Sequence, residues 1–210
     1  TAHDFVWSWI RVLNPETASK YSIILYPLAN AKAYNQQAIH IRGFGEEVTD
    51  EQIRTFVSQV GPVDSISRPV NASNPSVSKT EAFIFVGGPE EERSNLRTKM
   101  VDELHQLAID EDPVAVTVCE DDVVGVTALD DLTLKVTLKE PVPYFLSLVN
   151  HYTFMPVPRH VIEGLMSKGL PPELWTRPEH HVGNGAYRLA EWKFRRHMIF
   201  EKNPHYWNAD

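Results

Sequence analysis

The sequence predicts an α+β protein assembled from two unlike parts, one of them a β-α-β-β-α-β unit of the ferredoxin-like kind. Three observations carry this reading. Between residues 36 and 120 the apolar patterns run strand, helix, strand, strand, helix, strand. The same stretch holds 7 basic and 15 acidic side chains, so the whole net charge of −8 resides there and the rest of the chain is balanced. Outside it, "LDDLTLKVTLKEPVPYF" (129–145) alternates apolar and polar residues from Leu132 to Lys139, as a half-buried strand does, and stops at Pro141 and Pro143.

The elements follow in order. Residues 1–13 read as an amphipathic helix with Phe5, Trp9, Val12 and Leu13 on one face. Thr1 and Asp4 form its capping box, and Asn14-Pro15 ends it. "KYSIILYPLANAKAY" reads as a helix followed by a turn. "AIHIRGF" (38–44) opens the middle unit as a strand. A helix follows, capped by Thr49 and Gln52, closed by Gly61-Pro62, with Ile53, Phe56, Val57 and Val60 inward. "VDSISRP" and "EAFIFVGG" supply two strands around the polar loop "VNASNPSVSKT". The second helix is expected to start at Pro89, with Glu90, Glu91 and Glu92 at its positive end and Leu96, Met100, Leu104 and Leu107 buried. "PVAVTVCE" is the last strand. Beyond it come a hairpin turning at Asp130-Asp131, a short helix from Pro143 that packs through Tyr144 and Phe145, and a helix in "MPVPRHVIEGLMSKG". A Gly-rich turn then leads into a closing hairpin, "HVGNGAYRLAEWKF" and "RRHMIFEKNPHYW".

Composition narrows the function classes. With 42% hydrophobic residues the 210-residue chain folds around a real core, and it contains no run of about 18 apolar residues that would span a membrane. One cysteine, Cys119, excludes an internal disulfide and any multi-cysteine metal site, and its plain role is a small buried residue. The nine histidines include no His-x₃-His pair on a helix and no HExxH, so no metal site and no cofactor are expected. There is no Gly-x-Ser-x-Gly and no phosphate-binding loop, and the acid pairs Asp121-Asp122 and Asp130-Asp131 stand where turns favour aspartate, so no catalysis is expected.

The segments "TAHDFVWSWIRVLNPETASKYSIILYPLANA", "VTALDDLTLKVTLKEPVPYFLSLV", "MPVPRHVIE", "WTRPEHHVGNGAYRLAEWKF" and "FEKNPHYWNAD" resemble, in that order, the oligopeptide-binding family (family 5) of extracytoplasmic solute-binding proteins that serve ABC transporters. The resemblance covers residues 1–35 and 121–210. It implies a fragment of a periplasmic-binding-protein-like lobe, discontinuous in sequence, with residues 36–120 inserted as a ferredoxin-like subdomain. It further implies a non-catalytic protein that captures peptides or similar solutes. Its partners would be the importer's membrane subunits and a second lobe of a longer chain, in a periplasmic or extracytoplasmic location with a signal sequence upstream. The alternative is an interaction module in which the acidic subdomain docks a protein partner.

Candidate ligand-binding residues are Tyr26 and Asn30, an aromatic and an amide suited to reading a peptide backbone, and Asn184 and Gly185 in the "GNGAY" loop, where glycines permit close approach. Each has a plainer role, as a satisfied buried tyrosine or a tight turn. The β-α-β-β-α-β order is also that of RNA-recognition motifs, but two of the three base-stacking places hold His40 and Glu81, leaving Phe83 as the one aromatic. With the unit's acidic charge this argues against nucleic acid as a partner.

Overall fold

A computed structural model describes residues 1–71, 74, 76–105, 108–109 and 112–208. Helix α1 (Ala2–Leu13) is closed at its start by the Thr1–Asp4 box: the Thr1 amino group and hydroxyl reach one Asp4 carboxylate oxygen at 2.7 and 3.0 Å. Its buried face presents Trp9 and Leu13 to Leu25, Leu28 and Ala31, and to Val124, Val126 and Phe154 from far along the chain. Trp9 Nε1 donates to Phe154 O at 2.8 Å while the two rings meet edge to face at 5.0 Å. Segments before residue 36 and after residue 120 thus share one core.

The segment after α1 differs from the expected helix-then-turn. A short 3₁₀ turn, Ser22–Leu25, comes first and helix α2 (Ala31–Asn35) last. Pro27 explains the order, since its ring and missing N–H stop a helix from running through it. Between them the backbone joins a strand pair. Ala29 N donates to Thr137 O, Gly125 N to Ala29 O, Thr137 N to Gly125 O and Lys139 N to Pro27 O, all between 2.8 and 3.0 Å.

The middle of the chain contains strands β1 (Ile39–Arg42), β2 (Val63–Ser67) and β3 (Glu81–Val86), a two-residue hairpin of β4 (Ala108–Ile109) and β5 (Asp112–Pro113), and β6 (Ala115–Val118). β1, β2, β3 and β6 form one sheet in the order β2-β3-β1-β6, with antiparallel neighbours. Because side chains alternate between faces, Ile39, Ile41, Ala82, Ile84, Val86 and Val116 lie together. They pack on Ile53, Phe56 and Val57 of helix α3 (Asp50–Ser58) and on Met100 and Leu104 of helix α5 (Arg93–Leu104), which follows the one-turn α4 (Val77–Thr80). Each fully buried aliphatic side chain there contributes about 1.5–3 kcal/mol. Thr49 and Gln52 cap α3 reciprocally as their spacing predicts. α5 begins at Arg93, later than Pro89 suggested; Glu90–Glu92 form the turn that leads in. Leu107, expected on its buried face, lies outside the described residues.

The opposite face of this sheet carries His40, Phe83 and Phe85. It is covered: Phe83 and Phe85 pack with Ala33, Ala38, Cys119 and Tyr34. Where the chain enters and leaves this region, Cys119 N donates to Ala38 O at 2.8 Å, so the two ends are adjacent.

The alternating segment forms hairpin β7 (Val126–Ala128) and β8 (Leu134–Val136). β8 is shorter than the alternation suggested. Asp130 Oδ1 accepts from the N–H groups of Leu132 and Thr133, and this turn throws Leu132 into solvent at 95% exposure. Leu134, Val136 and Leu138 keep the inward face. In the short helix α6 (Phe145–Leu148) Phe145 packs inward while Tyr144 stays exposed, against expectation. Helix α7 (Arg159–Met166) and the hairpin β9 (Tyr187–Lys193) and β10 (His197–Lys202) complete the chain. Among the described residues no helix is long and apolar enough to cross a membrane.

Candidate functional site at the seam around Asn30

Asn30 adopts the left-handed conformation, φ 59°, immediately before α2. Asparagine tolerates that backbone better than most residues. Its amide nitrogen donates to Val70 O at 3.0 Å and Val123 O at 2.8 Å, and its oxygen accepts from Val70 N at 2.8 Å. One side chain thereby ties the Pro69–Asn71 loop of the middle region to the segment leading into β7. Tyr26 is half-buried nearby. Its hydroxyl donates to Asn35 Oδ1 at 2.6 Å, and burial raises its pKa above the ordinary phenol value.

Two cavities flank Asn30. One, about 370 Å³, lies along the covered sheet face between Tyr26, Lys32, Arg68, Phe83, Phe85 and Lys139. Lys32 Nζ stands 5.0 Å from the centre of the Phe85 ring, and Arg68 is held by Asp50 at 2.7 Å and Val48 O at 2.8 Å. The other, about 450 Å³, opens between the Arg42 end of β1, Glu81 of β3, and the frame residues Asp122, Gly125, Lys135 and Thr137. Both volumes fall in the range of small-molecule sites, about 300–1,000 Å³.

The second cavity has an unusual charge arrangement. Arg42 and Glu81 stand opposite each other across β1 and β3, where an ion pair would ordinarily form. Instead the Glu81 carboxylate takes His40 Nε2 at 2.7 Å, and His40 lies against the Phe83 ring at 4.6 Å between centroids. Burial holds the His40 imidazole below its ordinary pKa; the hydrogen bond and charge of Glu81 oppose this, Arg42 adds to it and Asp122 opposes it. The guanidinium of Arg42 is left without a carboxylate among the described residues, and its buried Nε has no acceptor.

The Asn184–Gly185 loop belongs elsewhere. Asn203 Nδ2 donates to Gly183 O at 3.0 Å and Gly185 O at 2.8 Å, and Asn203 N donates to Ala186 O. A buried amide from "NPHYW" thus shapes "GNGAY", which explains why the two motifs occur together. Asn184 and Gly185 line neither cavity at Asn30, so the four predicted residues fall into two separate places.

In the sequence His40 and Glu81 stand only as base-stacking places and Asp122 as a turn acid, and Arg42 carries no signal of its own. The period-two alternation already put His40 and Arg42 on one face of β1, and Glu81, Phe83 and Phe85 on one face of β3. What was missing was the pairing partner. Cys119, expected to be buried, is 4% exposed, and burial pushes its thiol up to about 12. Among the described residues no group of three or more His, Cys, Asp or Glu side chains could hold a metal ion.

Solved structures share this architecture. OppA of Burkholderia pseudomallei superposes with a TM-score of 0.55 at 21% identity, over 100% of this chain and 24% of that one. Haemophilus influenzae OppA in complex with RPPGFSPFR gives 0.53 at 24% identity, over 100% and 24%. These likenesses define the class of fold, a lobe of the periplasmic-binding-protein kind. The family follows from sequence: the model of bacterial extracellular solute-binding proteins, family 5 Middle, matches residues 1–210, and the chain belongs to that family. Similar curated proteins include the periplasmic oligopeptide-binding protein OppA of Salmonella typhimurium, 45% identical over 84 residues, or 40% of this chain and 14% of that protein. The dipeptide-binding protein DppE of Bacillus subtilis is 39% identical over 89 residues, 42% and 15% respectively. The matched stretch is therefore a small part of the length of these relatives.

Proposed function

We propose that this chain is part of an extracytoplasmic solute-binding protein that captures peptides, or solutes like them, and delivers them to an ABC importer without chemical change. The observation that carries the reading is the family match from residue 1 to residue 210. Relatives named for oligopeptide and dipeptide binding support peptides as the solute class. The partners on this reading are the peptide and the importer's membrane subunits, on the outer side of the membrane. Asn184 and Gly185, in a loop with exposed side chains, are the better placed of the predicted residues to touch ligand. Tyr26 and Asn30 act by holding the wall they stand in. Residues 36–120 form a subdomain inserted into the lobe; the Ala38–Cys119 hydrogen bond, which closes its two ends together, supports that boundary.

The test is to produce the polypeptide in its native sequence context, identify co-purifying small molecules by mass spectrometry, and titrate peptides by calorimetry. Co-purifying peptides and saturable heat are expected; neither peptides nor any other bound solute would overturn the reading. A second reading, that residues 36–120 dock a protein partner, is favoured by the confinement of the net charge of −8 to that region. A pulldown with and without residues 36–120 separates the two: loss of a partner with unchanged solute uptake supports docking as an added role.

A further inference from the structure

We propose that the tip of the β9–β10 hairpin is a membrane-surface contact: a basic and aromatic knob that seats reversibly on a bilayer of anionic phospholipid, with Phe194 among the headgroups and Arg195 and Arg196 on their phosphates. The contact is additional to solute capture and does not depend on which solute the chain takes.

Three observations converge on it. The first is charge. The run "WKFRRHM" (192–198) holds three cations, a histidine and three large apolar side chains, and no carboxylate. The adjoining Glu191 takes Lys193 at 2.6 Å and stands 3.4 Å from His197, and Glu201 takes Arg188 at 2.7 Å. Arg195 and Arg196 have no carboxylate partner among the described residues. Over residues 187–202 five basic side chains face two acidic ones, a balance of +3 in a chain of −8. The acidic excess lies in residues 36–120 and in a different sheet, and at physiological salt its field is screened beyond about 8 Å. The second observation is geometry. Arg196 N donates to Lys193 O at 2.9 Å and Arg195 takes the left-handed backbone, φ 59°, which closes the turn with Phe194 at its apex. Phe194 is 72% exposed, and the Arg195 guanidinium lies 5.3 Å from the centre of its ring. Trp192 is already covered by Arg177 at 4.7 Å, which leaves Phe194 as the ring free to insert. All six residues of β10 are exposed, and β9 and β10 pair only with each other, so the tip stands out from the frame. The third is shape. A convex knob offers no concave wall to a small ligand. It matches a bilayer interface, where an aromatic ring sits at headgroup level and guanidinium groups pair with phosphate oxygens.

The experiment sediments the whole 210-residue chain with vesicles of phosphatidylcholine, pure or mixed in equal parts with phosphatidylglycerol. The mixed vesicles should bind the chain, and the neutral ones at least about tenfold more weakly. Raising the salt from about 0.1 to about 0.5 M should release most of the bound chain. Arg195→Gln with Arg196→Gln should weaken binding at least about tenfold, and Phe194→Ser at least about fivefold. These three side chains are exposed, so both variants should keep the parent's circular dichroism and melting transition. In the unmodified protein, bicelles of the mixed lipids carrying a nitroxide lipid should broaden the backbone amide resonances of Phe194, Arg195 and Arg196 first, a readout that needs no variant. The proposal is overturned if those resonances stay sharp, if neutral vesicles bind as tightly as anionic ones, or if the folded double arginine variant binds like the parent. A chain that ignores the vesicles but is held on polyglutamate through Arg195 and Arg196 assigns the tip to an acidic polypeptide, and that also overturns it.

Discussion

Asn30 uses both amide hydrogens and its amide oxygen on backbone groups that sit 40 and 93 residues away. Its φ of 59° is a conformation that alanine adopts only at a cost of about 1–2 kcal/mol. Asn30→Ala should therefore lose about 2–4 kcal/mol of stability in urea unfolding, and Asn30→Gly less, because glycine restores the backbone freedom but not the three hydrogen bonds. Equal losses would show that the backbone strain is not felt. His40 makes a second prediction at this scale. Burial keeps it neutral below its ordinary pKa, whereas the unfolded chain takes up a proton near pH 6.5, so the unfolded state binds more protons as the solution is acidified. Stability should fall as pH drops through about 6.5 and level off once the folded imidazole titrates too. Unfolding free energies of the parent and of His40→Gln at about pH 7.5 and about pH 5.5 check this: the drop should be smaller in His40→Gln.

Among elements, the crossing of Ala29, Gly125 and Thr137 is the joint most sensitive to size. A methyl group on Gly125 would come within 2.3 Å of Thr137 O and 2.9 Å of Ala29 Cβ, so the backbone itself would have to move. Gly125→Ala should cost about 2–4 kcal/mol and loosen the β7–β8 hairpin, seen as faster amide exchange at Thr137. The caps behaved as spacing said they would, because Thr1–Asp4 and Thr49–Gln52 are contacts within one helical turn. Alternation was right about which face of β8 turns inward and wrong about its length, since Asp130 seized the amides of Leu132 and Thr133. A turn side chain competing with a strand for backbone N–H groups is invisible to a count of apolar periods.

At the scale of the whole molecule, the sheet of the middle region is two-sided. One face packs on α3 and α5, and the other on α2 through Phe83 and Phe85. That second contact removes the open aromatic face that nucleic-acid binding on such a sheet requires, with Phe83 1% exposed. Replacing residues 36–120 by a short Gly-Ser linker should leave the frame folded, because Trp9, Leu13, Leu25, Leu28, Val124, Val126 and Phe154 form a core without it. The frame should nonetheless lose stability at α2, where Ala33 and Tyr34 would lose their cover. Circular dichroism and a cooperative thermal transition check this, and a non-cooperative melt would mean that the frame cannot stand alone.

What the sequence determined by itself is everything encoded within a few residues. That covers the helix caps, the period-two faces of β1 and β3, the acidic middle, the absence of a cysteine framework and the five ordered segments that mark the family. Tertiary structure alone decided which distant faces meet. It brought Arg42 opposite Glu81 and then turned Glu81 to His40, set Asp122 across the seam, and gave the Asn30 amide to Val70 and Val123. The physical reason is that local backbone preferences act over one turn or one strand, whereas a cross-strand pair or a seam depends on side chains brought together only when the two cores close on each other.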